Sequence, residues 1–104
     1  MNAIEDKIEI FKLLNSPVIL RVINLLLHRE ECNVTEIHTT VNTIDQTGIS
    51  RMLRKLRTLG LARYRKDGTL HFYQLTEKGR TNFEVCLADI LRSEDVFQED
   101  LRKL

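Results

Sequence analysis

A chain of 104 residues, 42% of them hydrophobic, can build one domain with a small core and is too short for two. Two cysteines exclude a disulfide framework. The longest apolar stretch, 18–27, is interrupted by Arg21 and Asn24 and is too short to cross a bilayer, and no basic leader with a cleavage site is evident, so a cytoplasmic protein without a membrane partner is expected.

Ile4, Ile8, Phe11 and Leu14 recur at helical spacing and predict a first helix over 4–15, with Glu5 and Asp6 in its opening turn. Ser16-Pro17 reads as the next helix start, a capping hydroxyl followed by Pro at the first helical position. That helix, to about His28, is apolar nearly all round apart from a stripe of Arg21, Asn24 and His28, which predicts a central, buried element. Asn33-Val34-Thr35-Glu36 resembles a capping box opening a short third helix to about Val41. Asn42-Thr43 turns the chain, Asp45 caps a fourth helix, and Gly60 is placed to end it in a left-handed C-cap. Asp67-Gly68 predicts a tight turn between strands over 62–66 and 69–73. Thr76 caps a long last helix on which Phe83, Leu87, Ile90, Phe97, Leu101 and Leu104 form an apolar seam, with Ser93-Glu94-Asp95 as a point of interruption. This seam, with Ile4, Ile8 and Phe11, is too apolar to leave in water and predicts a homodimer.

The net charge of +1 conceals a sharp asymmetry. Residues 44–73 hold seven basic residues (Arg51, Arg54, Lys55, Arg57, Arg63, Arg65 and Lys66) against Asp45 and Asp67, a local charge of +5, whereas 1–43 and 74–104 each carry −2. Such a distribution points to one docking face on an otherwise acidic protein. On the fourth helix Ile49, Leu53 and Leu56, with Met52 and Leu59 beside them, form the inward stripe. Gln46, Ser50, Arg54 and Arg57 are expected on the opposite side, with Thr47, Arg51 and Lys55 as a neighbouring row. Small hydrogen-bonding residues come first and charges later, an order that suits a helix entering the major groove of duplex DNA by its N-terminus. Gln46, Thr47, Ser50 and Arg51 are the expected base-edge contacts. Arg54, Lys55 and Arg57 are better placed for phosphates, and Arg63, Arg65 and Lys66 extend the patch onto the hairpin. The competing explanation is a solvated amphipathic helix, whose outer face is often Arg-rich. Tyr64, Phe72 and Tyr73 read as packing groups of the hairpin.

The whole pattern resembles the ArsR/SmtB family of winged helix-turn-helix repressors. The resemblance is carried by 60–75 as the wing, 49–57 as the recognition helix and 11–22 as the approach to the second helix, and it covers roughly 8–76. MarR-like proteins share the wing, and Leu75-Thr76-Glu77-Lys78-Gly79-Arg80 is similar to theirs. The expected fold is mainly α with a small β-hairpin, in the order α-α-α-α-β-β-α. Residues 4–15 and 77–104 would be the dimerisation helices, 34–59 the helix-turn-helix and 62–75 the wing. The resemblance implies a homodimer joined through the first and last helices, acting by operator occupancy that an effector relieves. Between Ile37 and Asp45 the chain is one residue longer than the family's usual turn.

The family's sensors are not legible here. Its usual thiolate pair would fall at Asn33 and Thr35, with Cys32 just outside, and no His follows His71, so neither a metal nor a cofactor is expected. Cys32 and Cys86 are the candidates for a thiol switch; redox-sensing relatives, however, carry their first cysteine where Asn24 stands, and a buried free Cys usually serves as a small hydrophobe. Candidate nucleophiles lack assembled partners and there is no Gly-rich phosphate loop, which argues against an enzyme. A partition or replication-control protein on the same fold, or a winged helix used for protein–protein contact, would be the alternatives to a sequence-specific regulator.

Overall fold

The computed structural model describes residues 3–42, 45–93 and 95–103, and for residues 3, 6 and 88–93 the backbone alone. The elements run α1 (Ala3–Leu13), α2 (Pro17–His28), β1 (Cys32–Asn33), α3 (Val34–Thr40), α4 (Gln46–Thr58), β2 (Ala62–Asp67), β3 (Leu70–Leu75), α5 (Glu77–Ser93) and α6 (Asp95–Lys103). No single described helix is long and apolar enough to cross a membrane.

α2 is the hub. Ile19, Val22, Ile23, Leu25 and Leu26 are buried in one core with Ile37 of α3, the Ile49–Leu53–Leu56 stripe of α4, and Phe83 and Leu87 of α5. Pro17 starts the helix as its position predicts, but Ser16 makes no side-chain cap bond. Asn33 does form the full capping box: its Oδ1 accepts from Glu36 N at 2.8 Å, and Glu36 Oε1 accepts from Asn33 N at 3.0 Å.

The sheet has three strands rather than two, in the order β1-β3-β2, all antiparallel. β1 pairs Cys32 with Tyr73 and Asn33 with Phe72. Two residues are too few to show an alternating pattern, so this strand exists only because β3 offers it an edge. The hairpin turn is also shifted by one residue from expectation. Asp67 pairs with Leu70, leaving Gly68-Thr69 as the loop. Gly68 has φ +64° and Thr69 does not share the positive sign, the pattern of a type II′ turn with Gly at its first central position.

The expected long last helix is two helices, meeting at the interruption anticipated around residues 93–95, of which Glu94 itself lies outside the described residues. α6 folds back onto α2, and the polar stripe of α2 is what receives it. Arg21 forks onto Asp100, with Nε–Oδ2 at 2.7 Å and Nη2–Oδ1 at 2.6 Å, and Asn24 Nδ2 donates to the Phe97 carbonyl at 3.0 Å. Asp100 and Asn24 are fully buried, and the pairing with Asp100 raises the pKa of Arg21.

This fold-back corrects the expected dimer contacts. Phe83, Leu87 and Phe97 are buried within the protomer's own core, and Leu101 packs against that core partly buried, because α5 and α6 both pack on α2. The side chain of Ile90, and Leu104, lie outside the described residues. Ile4, Ile8 and Phe11 remain exposed apolar groups.

Breaking a buried ion pair leaves an uncompensated charge in the interior. Arg21→Met is therefore expected to lower the unfolding free energy by about 2–3 kcal/mol in chemical denaturation, below the ~3–5 kcal/mol of a fully enclosed pair because Arg21 keeps some contact with solvent. The double variant Arg21→Met/Asp100→Leu should recover most of the loss. A single variant as stable as the parent would show that the pair does not hold α6.

Candidate nucleic-acid interface

α4 is fixed at both ends. At its start Asp45 Oδ1 accepts from Gly48 N at 2.8 Å, the expected N-cap. At its end Gly60 N donates to Arg57 O at 3.0 Å and Leu61 N to Leu56 O at 2.8 Å, with Gly60 at φ +75°. This pair of bonds is a Schellman motif, and the left-handed residue within it is the glycine expected there.

The turn after α4 is then bolted to the start of α5. Thr76 Oγ1 donates to Gly60 O at 2.6 Å and accepts from Gly79 N at 3.1 Å. Thr76 N donates to Leu61 O at 3.0 Å, and Lys78 Nζ donates to Leu59 O at 3.1 Å. Gly79 is indispensable at this joint, since a Cβ there would lie 2.0 Å from the Leu61 carbonyl oxygen. Thr76 reads as a cap from its sequence position. The roles of Lys78 and Gly79 do not show in the sequence, because their partners Leu59 and Leu61 lie some twenty residues earlier in the chain.

With Ile49, Leu53 and Leu56 buried, helical geometry puts Thr47, Arg51, Arg54 and Thr58 at the centre of the outward face. Gln46 and Arg57 are exposed along one flank and Lys55 on the other, while Ser50 is half-buried rather than fully outward. The expected opposite-side row of Gln46, Ser50, Arg54 and Arg57 is therefore rotated toward the core by part of a turn. α1 approaches the C-terminal half of α4, leaving a groove of about 560 Å³ floored by Ile8 and Leu59. Glu5 and Glu9 line one wall, and Arg51, Arg54 and Lys55 the other. Glu9 Oε2 stands 3.8 Å from Lys55 Nζ.

The wing joins the helix through Tyr64. Arg57 lies over its ring at 4.6 Å, and the His71 and Tyr73 rings are 4.7 and 5.5 Å from it. These aromatics pack, as expected, with Tyr73 buried. Strand alternation divides the three wing cations between two faces. Lys66 shares the Tyr64 face, on the side of α4, whereas Arg63 and Arg65 point from the other face. Arg65 is engaged there already: Nε meets Glu31 Oε2 at 2.7 Å, Nη2 meets Oε1 at 2.9 Å, and the guanidinium lies 4.7 Å from the centre of the Phe72 ring.

The two cysteines differ sharply. Cys32 is fully buried in β1, and burial, with a smaller contribution from the charge of Glu36, pushes its thiol up to about 11. Cys86 is exposed on α5, not enclosed as a small hydrophobe. No group of three or more His, Cys, Asp or Glu among the described residues is arranged to hold a metal ion. Because a thiolate is the reactive form and burial disfavours it, a thiol reagent at pH 8 should label Cys86 in the native protein and Cys32 only after denaturation. Prompt labelling of both without denaturant would contradict the burial of Cys32.

Residues 16–79 match the family model of the winged helix DNA-binding domain. No curated protein sequence matches the chain at a significant level. Among solved structures, HlyU from Vibrio cholerae is similar at 23% identity and TM-score 0.69, covering 85% of this chain and 96% of that one. Rv0081 of M. tuberculosis is similar at 24% identity and TM-score 0.70, covering 88% and 92%. The homodimeric winged helix-turn-helix DNA-binding domain of Mb0332 from Mycobacterium bovis, described as a possible ArsR-family transcriptional regulator, is similar at 24% identity and TM-score 0.70, covering 89% and 83%. With the fold shared across these structures and the family model spanning more than half of its length, the chain belongs to the winged helix DNA-binding domain family.

Proposed function

We propose that this protein is a sequence-specific, duplex-DNA-binding transcriptional regulator of ArsR type, acting as a homodimeric repressor on an inverted-repeat operator in the cytoplasm. The observation that carries this reading is the α4 face. A helix capped at both ends and buried along one side leaves Gln46, Thr47, Arg51 and Arg54 exposed beside a wing that carries Lys66. Gln46, Thr47 and Arg51 suit base edges. Arg54, Lys55, Arg57, Arg63 and Lys66 suit the phosphate backbone, and Ser50 serves from its flank position. PagR of Bacillus anthracis, a transcriptional repressor, is similar at TM-score 0.64 and 24% identity, which supports the regulatory reading. No catalytic role and no cofactor are proposed.

The dimer rests on exposed apolar surface. Ile4 is 72% exposed, Phe11 66% and Val85 79%, and Ile8 lies beside them on α1. Four such groups on α1 and α5 are a cost in water that a second copy would remove. That the Mb0332 domain is homodimeric supports a homodimer here.

Duplex binding should weaken steeply with salt, because several phosphate contacts release counterions. Arg51→Ala is expected to lower discrimination between sequences by about 1–3 kcal/mol, whereas Lys66→Ala should weaken all duplexes nearly evenly. Selection from a random duplex pool followed by titration of chosen and scrambled sites measures both. Absence of salt-sensitive duplex binding would overturn the reading. Phe11→Asp should shift the protein to monomer in sedimentation and reduce operator affinity at least tenfold. A wild-type protein that sediments as a monomer at micromolar concentration would refute the dimer.

A further inference from the structure

Arg65 is the one wing cation that the fold itself binds bidentately among the described residues. Its side chain crosses the outer face of the sheet from β2, over Phe72 of β3, to Glu31 just before β1. Both ends of that reach are set by the sheet. Phe72 is the cross-strand partner of Arg65 on one side and of Asn33 on the other. Glu31, next to Cys32 in sequence, thus stands at the far edge of the same face. The two-oxygen, two-nitrogen geometry at 2.7 and 2.9 Å is the one a guanidinium would use on a phosphate. The carboxyl of Glu31 is held below its ordinary range by the hydrogen bonds from Arg65, so it remains ionised through the neutral range.

We infer that Glu31 is a positioning residue for the wing and an internal substitute for a DNA phosphate: it holds Arg65 on the outer face and removes its charge from the backbone-binding set. The inference rests on the DNA-binding reading above. A phosphate approaching Arg65 meets a carboxylate beside the guanidinium, so little counterion release is available at this position. Sequence-independent affinity then comes from α4 and from Arg63 and Lys66. Lys55 and Glu9 form no comparable substitute, since their contact is longer, at 3.8 Å, and Glu9 also serves Lys12 at 3.4 Å.

The test is the salt dependence of binding to a random-sequence duplex by fluorescence anisotropy. It compares the full-length wild type with Glu31→Gln, Arg65→Gln and the double variant, with thermal unfolding confirming that each is folded. Releasing one phosphate-binding cation steepens the log–log slope by about 0.9, so Glu31→Gln should lose about 3.5-fold more affinity than the wild type between 50 and 200 mM salt. Arg65→Gln, and the double variant, should keep the wild-type slope. An unchanged or shallower slope in Glu31→Gln overturns the inference, as does a slope shallower by about 0.9 in Arg65→Gln, which would mean that Arg65 already contacts DNA. Binding with equal slopes in Glu31→Gln and wild type fails only the role of Glu31. The loss of salt-sensitive binding in all four proteins fails the DNA-binding reading and this inference together.

Discussion

The carbonyl oxygen of Leu61 occupies space that any side chain at position 79 would need. Around that contact the end of α4, the first residue of the wing and the first turn of α5 meet within a few ångströms. Thr76 bridges them with one hydroxyl, and Lys78 closes the α4 carbonyls from outside. The orientation of α4 relative to the wing follows from this joint. An amphipathic helix alone would be free to roll about its buried stripe. Here the Schellman turn, the Gly79 approach and the Arg57–Tyr64 stack fix its angle, so that Thr47, Arg51 and Arg54 present a defined face.

The packing of α6 on α2 solves a different problem. α2 is mostly apolar and mostly buried, and its polar residues Arg21 and Asn24 would be a liability unless something received them. α6 does so with a buried ion pair and a side-chain bond to the backbone. His28 completes the stripe by bonding the Asn24 carbonyl oxygen through Nδ1, at 2.9 Å. A buried pair of this kind adds little net stability over apolar packing, yet it strongly disfavours any register in which a charge is left alone. It therefore helps to select one docking position for a helix whose Phe97 and Leu101 also pack on the core. With Phe97 covered in the core, the most exposed large apolar side chains among the described residues are Ile4 and Phe11 of α1 and Val85 of α5.

Charge is distributed with similar economy. The basic segment is concentrated in sequence but not in its availability. Lys55 lies near Glu9, Arg57 lies on Tyr64, and Arg65 is paired with Glu31. Arg51, Arg54, Arg63 and Lys66 are the exposed cations of that segment outside these contacts. A DNA-binding surface of this kind would depend on placement more than on total charge, in keeping with a protein whose formal net charge is only +1.

Local chemistry wrote much of this into the sequence. The Asn33–Glu36 box, the Asp45 cap, the Gly60 C-cap and the buried stripe of α4 all depend on residues within one or two turns of each other, so their identity and spacing are enough. The helix order and the wing follow from the same short-range signals. What needed the tertiary structure were contacts between residues far apart in the chain. β1 is a strand only because β3 is beside it. Phe83, Leu87 and Phe97 look like an exposed seam until α5 and α6 are both packed on α2, which buries them. Gly79 has no local reason to be glycine, and Glu31 no local reason to face Arg65. Short-range hydrogen bonding and periodicity determine which elements form. Only three-dimensional packing decides which apolar faces stay exposed and which charges remain free, because burial and pairing depend on neighbours that the order of residues does not name.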